Sequence, residues 1–138
     1  MVELNRHQTR QAAFQTLFGL SANPDVQTEV LAAQVLAGDP ELTWEGELPS
    51  DLLALVNGVT EHLDELDLTI SGYLQSGWTI DRISQPDLGL IRLALYEAKY
   101  GNIDAKIAVN EAMELAKNFT DDKGRKFING LLNKALTF

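Results

Sequence analysis

The sequence predicts an all-α fold, and three observations carry that expectation. Apolar residues recur at three- and four-residue spacing through most of the chain. No Asn-Gly or Asp-Gly turn joins alternating runs, and β-branched residues are scattered rather than clustered. Proline and glycine fall between segments of helical length. At 138 residues, with 45% apolar and 22% charged side chains, the chain is expected to form one domain over 1–138 with about six or seven helices and a core of its own.

The first helix is expected from Asn5 to about Ser21, with Ala12, Ala13, Phe14, Leu17 and Phe18 as its apolar side. Asn23-Pro24 ends it, because proline cannot continue a helix and disfavours helical geometry in the residue before it. A weaker helix follows from Val26 to Ala37 and stops at Gly38-Asp39-Pro40; a loop with Trp44, Gly46 and Pro49 comes next. Ser50 reads as an N-cap, with Asp51 at the positive end of the dipole. The helical spacing then runs from Leu52 through Leu74, long enough that a break near Asp64 is expected.

The strongest element begins at Ser84, a cap, with Pro86 in its first turn and Asp87 three residues after the cap. Leu88, Leu90, Ile91, Leu93, Ala94, Leu95 and Ala98 surround almost its whole circumference. A helix apolar on most sides is buried, so this one is expected at the centre of the fold. Gly101 suits the position just past its end. Asp104 caps a helix through about Phe119, with Ala108, Ala112, Leu115 and Phe119 on one face. Asp121 or Asp122 caps the last, which carries a Phe127, Leu131, Ala135 stripe and an Ile128, Leu132 stripe.

Chemistry is sparse. The absence of cysteine removes disulfides and thiolate chemistry, and fits a reducing compartment. His7 and His62 have no metal-ligand partner one turn away. No nucleophile elbow or phosphate-cradling glycine loop is present, so neither an enzyme nor a cofactor is indicated. The opening residues have no apolar run and no stretch reaches the roughly 20 apolar residues that cross a bilayer, so a cytoplasmic protein without a membrane partner is expected.

The net charge of −9 argues against a nucleic-acid partner until its distribution is considered. Residues 25–81 hold twelve Asp or Glu and not one Lys or Arg, which leaves eleven basic and eight acidic side chains on the rest. Arg6, His7 and Arg10 fall within one arc of the first helix, beside Gln8 and Gln11, a spacing suited to phosphate oxygens or to a merely solvated first turn. Lys117, Lys123, Arg125, Lys126 and Lys134 interleave with Phe119 and Phe127; cations beside aromatic faces can hold unpaired bases, and the alternative is core phenylalanines with peripheral lysines. Gly130, inside a helix, needs a reason: close approach of another helix, or more rarely of a ligand backbone.

Three motifs then resemble a known family. They are Ile91-Arg92-Leu93-Ala94-Leu95-Tyr96-Glu97, the run from Lys106 to Lys117, and Lys126-Phe127-Ile128-Asn129-Gly130-Leu131-Leu132. Together with Arg6 to Phe18, they resemble the bacterial transcription antitermination factor family NusB. The resemblance implies a pair of small helical bundles. It also implies binding of the boxA element of ribosomal RNA leader transcripts together with NusE, a small-subunit ribosomal protein, in an antitermination complex on RNA polymerase. Carried over by position, the RNA-facing residues would be Arg6, His7, Arg10, Lys117, Lys123 and Lys126; the NusE-facing ones would be Tyr73, Asp87, Phe119 and Phe127. Family members often carry more arginines in the opening turns than Arg-His-Gln-Thr-Arg here, and often proline where Ala105 stands. Fewer arginines imply weaker RNA binding by the chain alone.

Two other readings belong to different classes. The same fold serves as the RNA-binding domain of a ribosomal RNA methyltransferase, which needs an α/β cofactor domain after it; here the chain ends at Phe138, so that reading requires a fragment. A purely protein-binding helical module would use the acidic 25–81 face instead.

Overall fold

Asn5 opens the first helix with a reciprocal cap. Its side chain accepts the Gln8 amide at 2.7 Å, and the Gln8 side-chain oxygen accepts the Asn5 amide at 2.9 Å. The computed structural model describes residues 4–42 and 44–136. Among these it has seven α-helices, a single 3-10 turn and no strand, as the sequence leads one to expect. The helices are α1 (Arg6–Ala22), α2 (Thr28–Gly38), α3 (Ser50–Glu61), α4 (Leu63–Gly72), α5 (Gln85–Lys99), α6 (Ala105–Phe119) and α7 (Asp122–Ala135), with the 3-10 turn at Ile80–Arg82. None of the described helices is long and apolar enough to cross a membrane.

The chain forms two compact units, Met1–Gly58 and Val59–Phe138. The first is organised by α1 against α2. Ala12, Ala13, Ala32, Leu36, Leu42, Leu52 and Val56 make its core, with Leu17, Trp44 and Leu48 packed around them. Gly19 lets the two helices close: a Cβ there would stand 3.3 Å from the Leu31 side chain. The buried stripe of α1 includes Arg10, 5% exposed, because position 10 shares the i, i+3, i+4 row of Ala13 and Phe14. Phe18, read as apolar side, is 44% exposed.

The second unit is built on α5, which packs against α4, α6 and α7. Eight of its fifteen residues are buried, including Leu90, Ile91 and Leu95, as its all-round apolar pattern requires. Ser84 caps it by accepting the Asp87 amide, and the Arg92 guanidinium grips the Asp67 carboxylate of α4 with two hydrogen bonds of 2.7 Å. Asp104 caps α6 and Asp121 caps α7. In α7 the Ile128 and Leu132 stripe supplies the fully buried side chains, whereas Phe127 is half-buried.

Several boundaries differ from the sequence reading. Ser50 is the first helical residue rather than the cap; the Pro49 carbonyl accepts the Leu53 amide. The break expected near Asp64 falls at His62, between α3 and α4. Gly101 does follow the end of α5, but the left-handed residue is Asn102, at φ 60°. Gly101 answers a steric demand instead, since a Cβ would lie 3.0 Å from the Glu97 backbone.

The two helical glycines of α7 have opposite surroundings. Gly130 has no atom within 4 Å of where its Cβ would be, so no neighbouring helix demands it. Gly124 is the crowded one: a Cβ there would lie 2.7 Å from Asp87 Oδ1 and closer still to Thr120 Oγ1. We therefore expect opposite signs from the same substitution on one helix. Gly124→Ala should destabilise by about 1–3 kcal/mol through overpacking. Gly130→Ala should stabilise by about 0.5–1 kcal/mol through helix propensity. Denaturant unfolding of the two variants checks this, and equal shifts would contradict the packing described.

Candidate nucleic-acid and partner interface

Three helix ends meet in the second unit. Asp87 stands in the first turn of α5, where its charge suits the dipole. Thr120 follows the last residue of α6, and its hydroxyl donates to Asp87 Oδ1 at 2.6 Å. The first turn of α7 brings Gly124 beneath that pair, its own amide donating to Asp121 at 2.8 Å. Asp87 is 9% exposed, so its carboxylate is recessed rather than fully open to solvent.

Above this junction opens a groove of about 590 Å³. One wall is the segment after α4, with Tyr73, Leu74, Trp78 and Arg82; the other is α7, with Lys123, Lys126, Phe127, Gly130 and Lys134. Asp87 and Thr120 lie between them. The volume is that of an ordinary binding site. Its aromatic side chains are accessible, Tyr73 at 42% and Trp78 at 50%. Four basic side chains line it against two acidic ones, Asp87 and Asp121, so the groove is positive in a chain of −9. Aromatic faces among mobile cations can stack unpaired bases or receive a partner's side chains.

The groove joins five of the ten site residues carried over by the resemblance, Tyr73, Asp87, Lys123, Lys126 and Phe127, together with Gly130 and Lys134. Lys117 and Phe119 do not line it. Lys117 is exposed and paired with Glu114 at 3.0 Å; Phe119 is half-buried at the end of α6. In the first unit, Arg6 and His7 are exposed at the start of α1, while Arg10 is buried and is not part of the same open arc. Gln8, beside them in sequence, has its side-chain oxygen in the helix cap.

Trp78, Arg82, Thr120 and Gly124 escaped the sequence reading. Arg82 had one available signal, being the first basic residue after Arg10. Nothing local connects Trp78 to α7, or Thr120 to Asp87 at the start of α5; only the fold does.

The NusB family model matches residues 7–137. The chain is 47% identical over 134 residues to the transcription antitermination protein NusB of Levilactobacillus brevis, covering 96% of this chain and 93% of that protein. It is 46% identical to the protein of the same description from Limosilactobacillus reuteri, covering 96% and 94%. Among solved structures, T. maritima NusB superposes with a TM-score of 0.80 at 28% identity, over 97% of this chain and 92% of that one. A chain from the crystal structure of the antitermination factors NusB and NusE in complex with dsRNA superposes with a TM-score of 0.78 at 22% identity, a likeness of fold. The chain thus belongs to the NusB family, whose matching relatives are transcription antitermination proteins rather than enzymes.

Proposed function

We propose that this chain binds the boxA element of ribosomal RNA leader transcripts jointly with NusE, and that the pair helps assemble the antitermination complex on RNA polymerase in the bacterial cytoplasm. The observation that carries this reading is the groove of the second unit, where Tyr73, Trp78 and Phe127 stand among Arg82, Lys123, Lys126 and Lys134. A relative of this fold is described as crystallised with NusE and dsRNA, which supports both ligand classes. Lys123 and Lys126 face RNA phosphates, with Lys117 and the exposed Arg6 and His7 as outlying contacts. Tyr73, Phe127 and Asp87 face NusE, with Phe119 at the margin. Arg10 supports the opening helix from inside, whereas the sequence reading gave it an RNA contact. Gly130 keeps the α7 wall low enough for a partner's backbone, the rarer of the two reasons for a glycine there. Residues 1–138 work as one binding domain, in keeping with a family model that runs across both units.

Three measurements test this. Lys123→Gln with Lys126→Gln should weaken boxA binding and lower the magnitude of the salt slope by about 1.4, at roughly 0.7 per phosphate contact on single strands. An unchanged slope with a preserved fold would take α7 out of the RNA site.

Arg6→Ala and Arg10→Ala should part company. The first should lower RNA affinity and leave stability within about 0.5 kcal/mol. The second removes a buried arginine side chain and should cost about 1–3 kcal/mol of folding stability. Equal melting temperatures for the two would contradict the inward placement of Arg10.

The decisive experiment titrates labelled boxA RNA with this chain, with NusE and with the pair, at two salt concentrations. The heterodimer should bind at least about ten-fold more tightly than this chain alone, about 1.4 kcal/mol of coupling. By linkage, boxA should tighten the protein pair by the same factor. Affinity no better than that of the tighter single protein would refute a shared RNA site.

A further inference from the structure

Within the second unit, α4 and α5 run antiparallel, since Glu65 pairs with Tyr100 and Asp67 with Arg92. The groove lies where α4 ends and α5 begins. The opposite end of the pair carries a different surface. His62, Tyr96 and Tyr100 cluster there, with ring centroids 4.0 Å apart for His62 and Tyr100, and 5.6 and 5.9 Å for the other two pairs. The Tyr100 phenol donates to Glu65 at 2.8 Å, which holds its pKa above the ordinary tyrosine value. One turn further along α4, Leu68 is 77% exposed, the most open large apolar side chain among the described residues. Exposed Asp64 and Glu65 lie one turn before it, and exposed Glu61 precedes the helix; Lys99, next to Tyr100, offsets one of these charges.

We propose that this end of α4 and α5 is a second interaction surface, whose occupant is a lysine- or arginine-rich amphipathic segment of a protein partner. The aromatic faces attract a cation, the carboxylates pair with its neighbours, and Leu68 receives an apolar side chain. The charge selects this occupant: the same carboxylates repel RNA phosphates, so the surface is complementary to a basic protein and not to the ligand of the groove. A second copy docking its own basic groove here would make a head-to-tail contact, which builds a ring or an open filament. The surface is independent of the boxA reading and stands at the far end of the helix pair from the groove.

The test uses the full chain and two synthetic probes, an amphipathic lysine–arginine–leucine peptide and a matched glutamate–leucine peptide. The basic peptide should bind the wild-type chain and shift the amide resonances of residues 61–68 and 96–100; the acidic one should not bind. Asp64→Asn with Glu65→Gln, and separately Leu68→Ser, should each weaken the basic peptide by about ten-fold while leaving boxA affinity unchanged. Glu41→Gln with Glu45→Gln removes the same charge from the first unit and should have no effect. The proposal falls if peptide affinity follows net charge wherever it is removed, or if Leu68→Ser binds like wild type. It falls equally if sedimentation shows self-association that these α4 substitutions abolish, because the occupant is then a second copy.

Discussion

The hydrogen bond from Thr120 to Asp87 fixes the working end of the second unit. It ties the start of α5 to the end of α6, and it does so across the first turn of α7, where only glycine leaves room. Each partner is itself placed by a local rule. Asp87 follows a capping serine and a proline of the first turn, and Thr120 sits where α6 gives way to extended backbone. Gly124 is fixed by the Asp121 cap three residues earlier. Together with the buried Ile128 and Leu132 stripe, that junction sets the angle of the Lys123, Lys126 and Phe127 row to Tyr73 and Trp78. The groove is thus a consequence of three helix termini meeting, and its floor is polar because helix ends are.

Charge segregation follows from the same arrangement. The net charge of −9 describes no particular surface of this protein. The second unit places cations around the groove and carboxylates at the far end of α4, a helix of ten residues and about 15 Å. At physiological ionic strength the screening length is about 8 Å, so a phosphate in the groove is largely shielded from Glu61, Asp64 and Glu65. An acidic chain can therefore offer a local phosphate site.

How much of this was legible in sequence divides along physical lines. The capping residues Ser84, Asp104 and Asp121 and the apolar circumference of α5 are local or periodic signals, and they located the central helix and the starts of α6 and α7 to within a residue. The resemblance carried by Ile91 to Glu97, Lys106 to Lys117 and Lys126 to Leu132 brought Tyr73, Asp87, Lys123, Lys126 and Phe127 forward as site residues, and the fold gathers those five. What failed was whatever depends on facing. Arg10 was read by its charge, although its row with Ala13 and Phe14 turns it inward. Gly130 was assigned the crowding that belongs to Gly124, because a glycine's neighbours across a helix junction cannot be read from its own helix. Trp78 and Arg82 reach the groove through a loop and a 3-10 turn, which carry no periodicity to read.

In the proposed complex the layering of the groove sorts its two ligands. Lys123 and Lys126 are exposed and long enough to follow a phosphate backbone, while Asp87 is recessed and already accepts one hydrogen bond. A nucleic acid entering deeply would bring phosphate toward that carboxylate, so RNA is held at the rim, where contacts are electrostatic and tolerant of sequence. A protein side chain faces the reverse condition. Its apolar groups gain from Phe127 and Tyr73, and its cationic groups gain from the recessed carboxylate but are repelled by the lysines above them unless phosphate neutralises those lysines first. RNA at the rim and protein at the floor therefore lower each other's electrostatic cost without touching the same atoms, which is a physical origin for coupling between the two partners.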